Sequence, residues 1–409
     1  MRRGTGRQRF RWAGITVLTL VATTGLAGTA GWGAPGTRAV EYAGLALRVP
    51  ESWPVIDLAE QPDTCARVDR HAIYLGTPGE RASCPPRVTG RTETISLRPL
   101  TGTVPPGTTV VPHGTPEAAP ASTDHGGRWA LEAAGVLLST TYGTDPAQLS
   151  AILATARITA GATPRRAVRP EAAEAATTMV PGTHRGWGFD ACQAPTSATM
   201  DKWRSGSDYR AVGVYIGGGD LGCPDQPNLG PSWVSRQTGR GWHVFPIYVG
   251  RQAPCSNEPF KITASKAASQ GTADAADAAA KAGQYGMAHG SIVVNDMEWY
   301  PRGGSCSTAV LTYLSAWTKG LHAHDYRSGV YSSRAAAIDD LVAARPSGRY
   351  TMPGTIDFAQ WDHKATVSDP DIPATYWASH HRMKQYSGAH DEKYGGVTIN
   401  IDSSWIDVA

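Results

Sequence analysis

Ser291-Ile292-Val293-Val294-Asn295-Asp296-Met297-Glu298-Trp299-Tyr300 is a short β-branched run that ends in two carboxylates. Val and Ile in a run of this length predict a buried strand rather than a helix. Residues spaced i, i+2 on a strand point to one side of the sheet, so Asp296 and Glu298 are expected about 7 Å apart at the strand's C-terminal end. Two like charges at the rim of an apolar core lose solvation and repel, which costs stability and raises at least one pKa. Folding does not require such a pair, whereas acid–base chemistry uses it.

Reading outward, residues 185–409 alternate strand and helix signals. Strands are predicted at 186–190, 211–216, 243–249, 291–296, 328–332, 355–361, 382–386 and 397–402, with the clearest helices at 262–288, 307–324 and 333–344. Ser307 is placed to cap the second of these. Eight such alternations predict an α/β fold, a (β/α)8 TIM-like barrel. The competing architecture is an open doubly wound sheet, but Gly217-Gly218-Gly219-Asp220 lacks the GxGxxG spacing of a dinucleotide site and reads as a loop. Residues 40–160 carry short β-branched runs between Pro- and Gly-rich turns, and a helix is predicted at 146–156. That pattern predicts a small mostly-β domain ahead of the barrel, with no catalytic constellation. Residues 161–184 shift to Ala, Pro, Thr and Arg and read as a linker.

The chain of 409 residues has 38 basic and 35 acidic side chains. Five of the basic ones, Arg2, Arg3, Arg7, Arg9 and Arg11, precede an apolar stretch and the small residues Ala27-Gly28-Thr29-Ala30, the layout of a signal peptide over 1–30. The mature chain is expected to begin near Gly31 and to be secreted, extracellular or associated with the cell wall, meeting a membrane only through its leader. An uncleaved anchor is the alternative, since the apolar stretch approaches the length of a span. Without those five arginines the balance is 33 basic to 35 acidic, which removes the electrostatic case for a nucleic-acid partner. Six cysteines in a secreted chain predict disulfides: Cys65 with Cys84, and Cys192 with Cys223 and Cys255 with Cys306 among the three pairings four cysteines allow. No spacing resembles a metal knuckle, and neither metal nor cofactor is expected.

In a barrel the C-terminal strand ends form one face, where barrel enzymes keep their sites. Asp190 is expected to close the first strand, Asp296 and Glu298 the fourth, and Asp402 the eighth. Strands one and eight become neighbours on closure, so the four acids can meet. Tyr248, Trp299, Tyr300, Tyr331, Trp361, Gln385 and Tyr386 share that rim, and aromatic faces with amide groups suit sugar rings and hydroxyls. Repulsion from Asp296 and desolvation by aromatic neighbours are expected to raise Glu298 into the range of a general acid, with Asp296 its ionised partner.

The segments Gly188-Phe189-Asp190-Ala191-Cys192, Val214-Tyr215-Ile216-Gly217-Gly218, Pro246-Ile247-Tyr248-Val249, Asn295-Asp296-Met297-Glu298, Gly329-Val330-Tyr331-Ser332 and Gln385-Tyr386 carry a resemblance. Together they resemble the secreted bacterial glycoside-hydrolase-like domain known as domain of unknown function 1906, distantly similar to the family 25 lysozymes. Asn295 stands where that family often has an aromatic residue. The resemblance implies a barrel whose Asp296, Glu298, Asp190 and Asp402 line a groove for peptidoglycan sugars. The expected function is hydrolysis of a cell-wall polysaccharide by carboxylate acid–base chemistry. The alternative is a catalytically silent carbohydrate- or wall-binding module.

Overall fold

The computed structural model describes residues 36–80, 82, 84, 89–116, 118–119, 122–169 and 183–409. The expected leader, its cleavage near residue 31, and most of the expected linker lie outside these residues. Within them, Gly36–Ala409 forms one compact unit.

Its first part holds β1 (Thr37–Tyr42), β2 (Leu45–Pro50), β3 (Val55–Asp57), β4 (Ala72–Leu75), β5 (Thr94–Pro99), β6 (Thr109–Val111), β7 (Gly126–Leu131), β8 (Val136–Thr141), helix α1 (Ala147–Leu153) and β9 (Arg157–Ile158). These form a three-stranded sheet, β1-β2-β9, and a six-stranded sheet, β3-β4-β5-β8-β7-β6. Ala43 and Gly44, both at positive φ, make the tight turn between β1 and β2. Alternation along the strands gives the larger sheet two different faces. Ile95, Leu97 and Leu138 point into an apolar core shared with Leu45, Leu47, Leu149 and Leu153, whereas Arg98 turns to the barrel and pairs with Asp225 at 2.6 Å. Residues 161–169 do not hang free: Val168 accepts from Val104 N, and Ala167 N donates to Glu132.

The second part closes into a barrel of eight strands: β10 (His184–Asp190), β11 (Ala211–Gly217), β12 (His243–Tyr248), β13 (Ile292–Met297), β14 (Arg327–Ser333), β15 (Thr355–Ala359), β16 (His381–Tyr394) and β17 (Val397–Val408). Helices α2 (Ser197–Gly206), α3 (Pro231–Gly239), α4 (Ala267–Gln284), α5 (Gly304–Ala323) and α6 (Asp339–Ala344) follow the first five strands in turn. The alanines of α4 serve close packing. Gly320 of α5 sits so near that a Cβ there would lie 2.6 Å from that of Ala275. Helix α5 begins one turn earlier than expected, at Gly304, and Ser307 Oγ accepts from Gly303 N instead of capping from outside the helix.

The barrel is TIM-like without the full alternation of eight strands with eight helices. Among the described residues no helix follows β15 or β16. Strands β10 to β16 run parallel, but β17 is antiparallel to both β16 and β10. The cause is local: Gly395 and Gly396, at φ 56° and 80°, turn the chain back directly, and a parallel return needs a dozen or more residues. Asp402 therefore does not close a strand, as expected, but lies in mid-strand opposite Asp190. Apolar side chains, among them Phe245, Ile292, Val294, Met383 and Ile406, fill the barrel interior.

Candidate active site

Above that apolar filling the interior turns acidic. Asp190, Asp296, Glu298, Asp357 and Asp402 line one pocket with Tyr215, Ile247, Tyr331 and Gln385. Strand register puts them there. Asp296, Tyr331 and Asp357 are neighbours across β13, β14 and β15, and Asp190 faces Asp402 across β10 and β17. The pocket is narrow, about 10 Å³ in volume, room for about one water. Among the described residues no Lys, Arg or His lines it.

Hydrogen bonds fix part of this ring. Tyr215 Oη donates to Asp190 Oδ1 at 2.7 Å. Gln385 Nε2 donates to Asp402 Oδ2 at 3.2 Å, and Gln385 Oε1 accepts from Tyr331 Oη and from Trp361 Nε1, both at 2.9 Å. Gln252, fully buried, holds the backbone of the central pair: its Nε2 donates to Asp296 O at 2.9 Å and its Oε1 accepts from Glu298 N at 2.8 Å. Among the described residues, Oδ1 of Asp296, of Asp357 and of Asp402 finds no hydrogen-bond partner.

Burial, with the charge of neighbouring carboxylates, drives four of these carboxyls upward. Asp190 is pushed up to about 6 by desolvation, against the lowering effect of the Tyr215 and Gln385 hydrogen bonds. Asp357 reaches about 8 through desolvation and the charge of Asp190. Asp296 and Asp402 rise well above the carboxylate range: desolvation leads for both, followed for Asp296 by the charges of Glu298 and Asp190, and for Asp402 by those of Asp190 and Glu298. This corrects the expectation that Asp296 stays ionised. Asp296 is 3 % exposed and Glu298 only half-buried, so the deeper member bears the larger desolvation.

Of the expected sugar contacts, Tyr331 and Gln385 line the pocket, and Trp361, 49 % exposed, reaches it through Gln385. Tyr248, Tyr300 and Tyr386 do not. Ile247 takes the inward position on β12, so Tyr248 must face outward, where its hydroxyl donates to Asp277 and its ring stacks on Trp317. Tyr300 is buried and donates to Asp340 at 2.6 Å. Tyr386 lies on the outer face among Tyr209, Ser403 and Trp187. Trp299, 58 % exposed, stands just past β13 outside the pocket lining. Asn295 also faces outward, its Nδ2 donating to Tyr313 Oη at 3.4 Å.

Sequence reasoning missed Asp357, Tyr215 and Gln252. Asp357 lies inside the predicted sixth strand, and carrying the inward parity of Tyr331 across to that strand would have found it. Gln252 sits in a loop and has no such signal. The disulfides are Cys65–Cys84, Cys192–Cys223 and Cys255–Cys306. Among the described residues, the one trio of metal-capable atoms that lie close together is Cys65, Cys84 and Cys192, and all three sulfurs are bonded in disulfides.

The carboxyls thus gather at the C-terminal rim of the parallel strands, the face where barrel enzymes keep their sites. The chain belongs to the family described as Rv2525c-like, glycoside hydrolase-like domain, whose model matches residues 201–406. No curated protein matches it. Among solved structures, an uncharacterized B. stearothermophilus protein is similar at 16% identity over 54% of this chain and 95% of that one, with a TM-score of 0.35. The Clostridium perfringens spore cortex lytic enzyme SleM is similar at 11% identity over 54% of this chain and 67% of that one, with a TM-score of 0.37.

Proposed function

We propose that the chain is a secreted glycoside hydrolase acting on a cell-wall polysaccharide such as peptidoglycan. The observation that carries this reading is five carboxyls gathered in one pocket, with Asp190, Asp296, Asp357 and Asp402 all raised above the ordinary carboxylate range. Hydrolysis of a glycosidic bond needs a protonated carboxyl and a charged one together, and mutual repulsion with burial keeps protons on some members of such a cluster at neutral pH. The family's glycoside-hydrolase-like description agrees with that chemistry, and three disulfides suit an oxidising compartment.

In this reading the roles within the central pair are exchanged from those expected. Asp296 holds the proton and gives it to the glycosidic oxygen as the C–O bond breaks. Glu298, half-buried at the mouth, stabilises the positive charge that develops on the sugar, and a water adds to the anomeric carbon and gives its proton to the Asp296 carboxylate, which restores the acid. Asp190 and Asp402 tune the pair and bind sugar hydroxyls, Tyr331 and Gln385 orient the ring, and exposed Trp361 offers a stacking face. Product analysis after incubation of the mature protein with peptidoglycan and a panel of soluble glycans tests the proposal. Cleavage lost in Asp296→Asn and Glu298→Gln supports it. Binding of wall glycan without cleavage would replace it with the silent binding module.

A further inference from the structure

The glycine turn Gly217-Gly218-Gly219-Asp220 has no part in the chemistry above, yet its surroundings are unusual. Strand β11 pairs regularly with β12 as far as Tyr215–Ile247, then shifts register before Gly217–Tyr248. Such an irregularity interrupts the ladder and re-aims the neighbouring side chain. That side chain is Tyr215, which holds Asp190. Its direction depends on what secures the chain beyond the irregularity.

Within the barrel, Val249 N donates to Gly217 O at 3.0 Å and Asp220 N to Val249 O at 3.2 Å. Leu221 N donates to Gly218 O at 3.3 Å within the turn, and further ties come from loops of the N-terminal part. Arg91, 5 % exposed, donates from Nε to Leu221 O at 2.7 Å and from Nη2 to Gly218 O at 2.8 Å. Gly90 N donates to Asp220 O at 3.0 Å, and Asp124 Oδ1 accepts from Gly218 N at 3.1 Å. The turn is gripped on its carbonyls by a guanidinium and on an amide by a carboxylate. Gly218, at φ 112°, tolerates no side chain, since a Cβ would lie 2.1 Å from Val249 O.

We propose that Arg91 and Asp124 are positioning residues of the carboxylate pocket, clamping the glycine turn so that Tyr215 stays hydrogen-bonded to Asp190. The N-terminal part is then a working part of the site. This rests on the hydrolase reading only for its kinetic consequence, because the clamp is measurable in the protein without substrate. Among the described residues the groups facing Asp190 are Tyr215 from β11, Asp296 and Glu298 from the β13 end, Tyr331 from β14, Asp357 from β15, Gln385 from β16 and Asp402 from β17.

The test uses the full chain with carbon-13 in its Asp carboxyls. Tyr215→Phe removes the hydrogen bond that lowers Asp190 and sets the reference, an upward move of its titration midpoint from about 6. Arg91→Met and Asp124→Ala, which removes the acceptor of Gly218 N–H, should each reproduce at least half that move. Arg98→Met, which cuts a different ion pair between sheet and barrel, should leave Asp190 where it is. Arg91→Lys keeps the charge but not the two-carbonyl fork and should behave like Arg91→Met. On a glycan the wild type cleaves, Arg91→Met should lower kcat about 10-fold or more with KM within about twofold. Asp124→Ala, which removes the carboxylate half of the clamp and leaves the guanidinium half, carries the test should Arg91→Met fail to fold. Folded variants in which Asp190 titrates as in wild type overturn the clamp. A wild type that neither cleaves nor binds glycans overturns the hydrolase reading instead, and leaves the titration comparison intact.

Discussion

Replacing Asp357 with Asn should make the protein's stability much less sensitive to pH. The Asp357 carboxyl is 6 % exposed, and one of its oxygens finds no hydrogen-bond partner among the described residues. Burial and the charge of Asp190 raise it from 3.8 to about 8. A carboxyl raised on folding binds its proton more tightly in the native than in the unfolded chain. Its stabilising contribution is thus full below about pH 4 and is lost as pH climbs through about 8. At 1.36 kcal/mol per pH unit, that window corresponds to about 6 kcal/mol. Asn keeps the shape and cannot ionise. In urea unfolding with the disulfides intact, Asp357→Asn should match wild type within about 1 kcal/mol at pH 4 and exceed it by several kcal/mol at pH 8.5. Equal stability differences at the two pH values would refute the burial reasoning, as would a carbon-13 titration placing Asp357 near 4.

Glu298→Gln should cut glycan turnover roughly 100-fold or more while leaving the unfolding midpoint nearly unchanged, because Glu298 is only half-buried and the amide preserves shape. Arg98→Met should destabilise by about 3 to 5 kcal/mol in urea titrations, since it strands the carboxylate of Asp225, itself 8 % exposed, inside the unit. Gly218→Ala should destabilise by a few kcal/mol and lower the yield of folded protein, because the new methyl meets Val249 O in a backbone conformation that favours glycine.

Much of the barrel was legible in the sequence because strand signals are local. Short strand signals, β-branched in most cases though not in 186–190 or 382–386, marked the eight strands in order, and the i, i+2 spacing of Asp296 and Glu298 already put both at one strand end. Asp190 was legible for the same reason. Three matters required the closed structure. The reversal of β17 turns on two glycines, which in a sequence read equally well as a loop before another crossover. The side a rim aromatic faces depends on strand parity counted around the ring, which sends Tyr248 and Tyr386 outward and brings Asp357 and Tyr215 in. The protonation of the pocket is the least local property of all. Asp296 and Glu298 are chemically alike and nearly adjacent, and only folding sets the depth at which each is buried and brings Asp190, Asp357 and Asp402 from distant strands beside them.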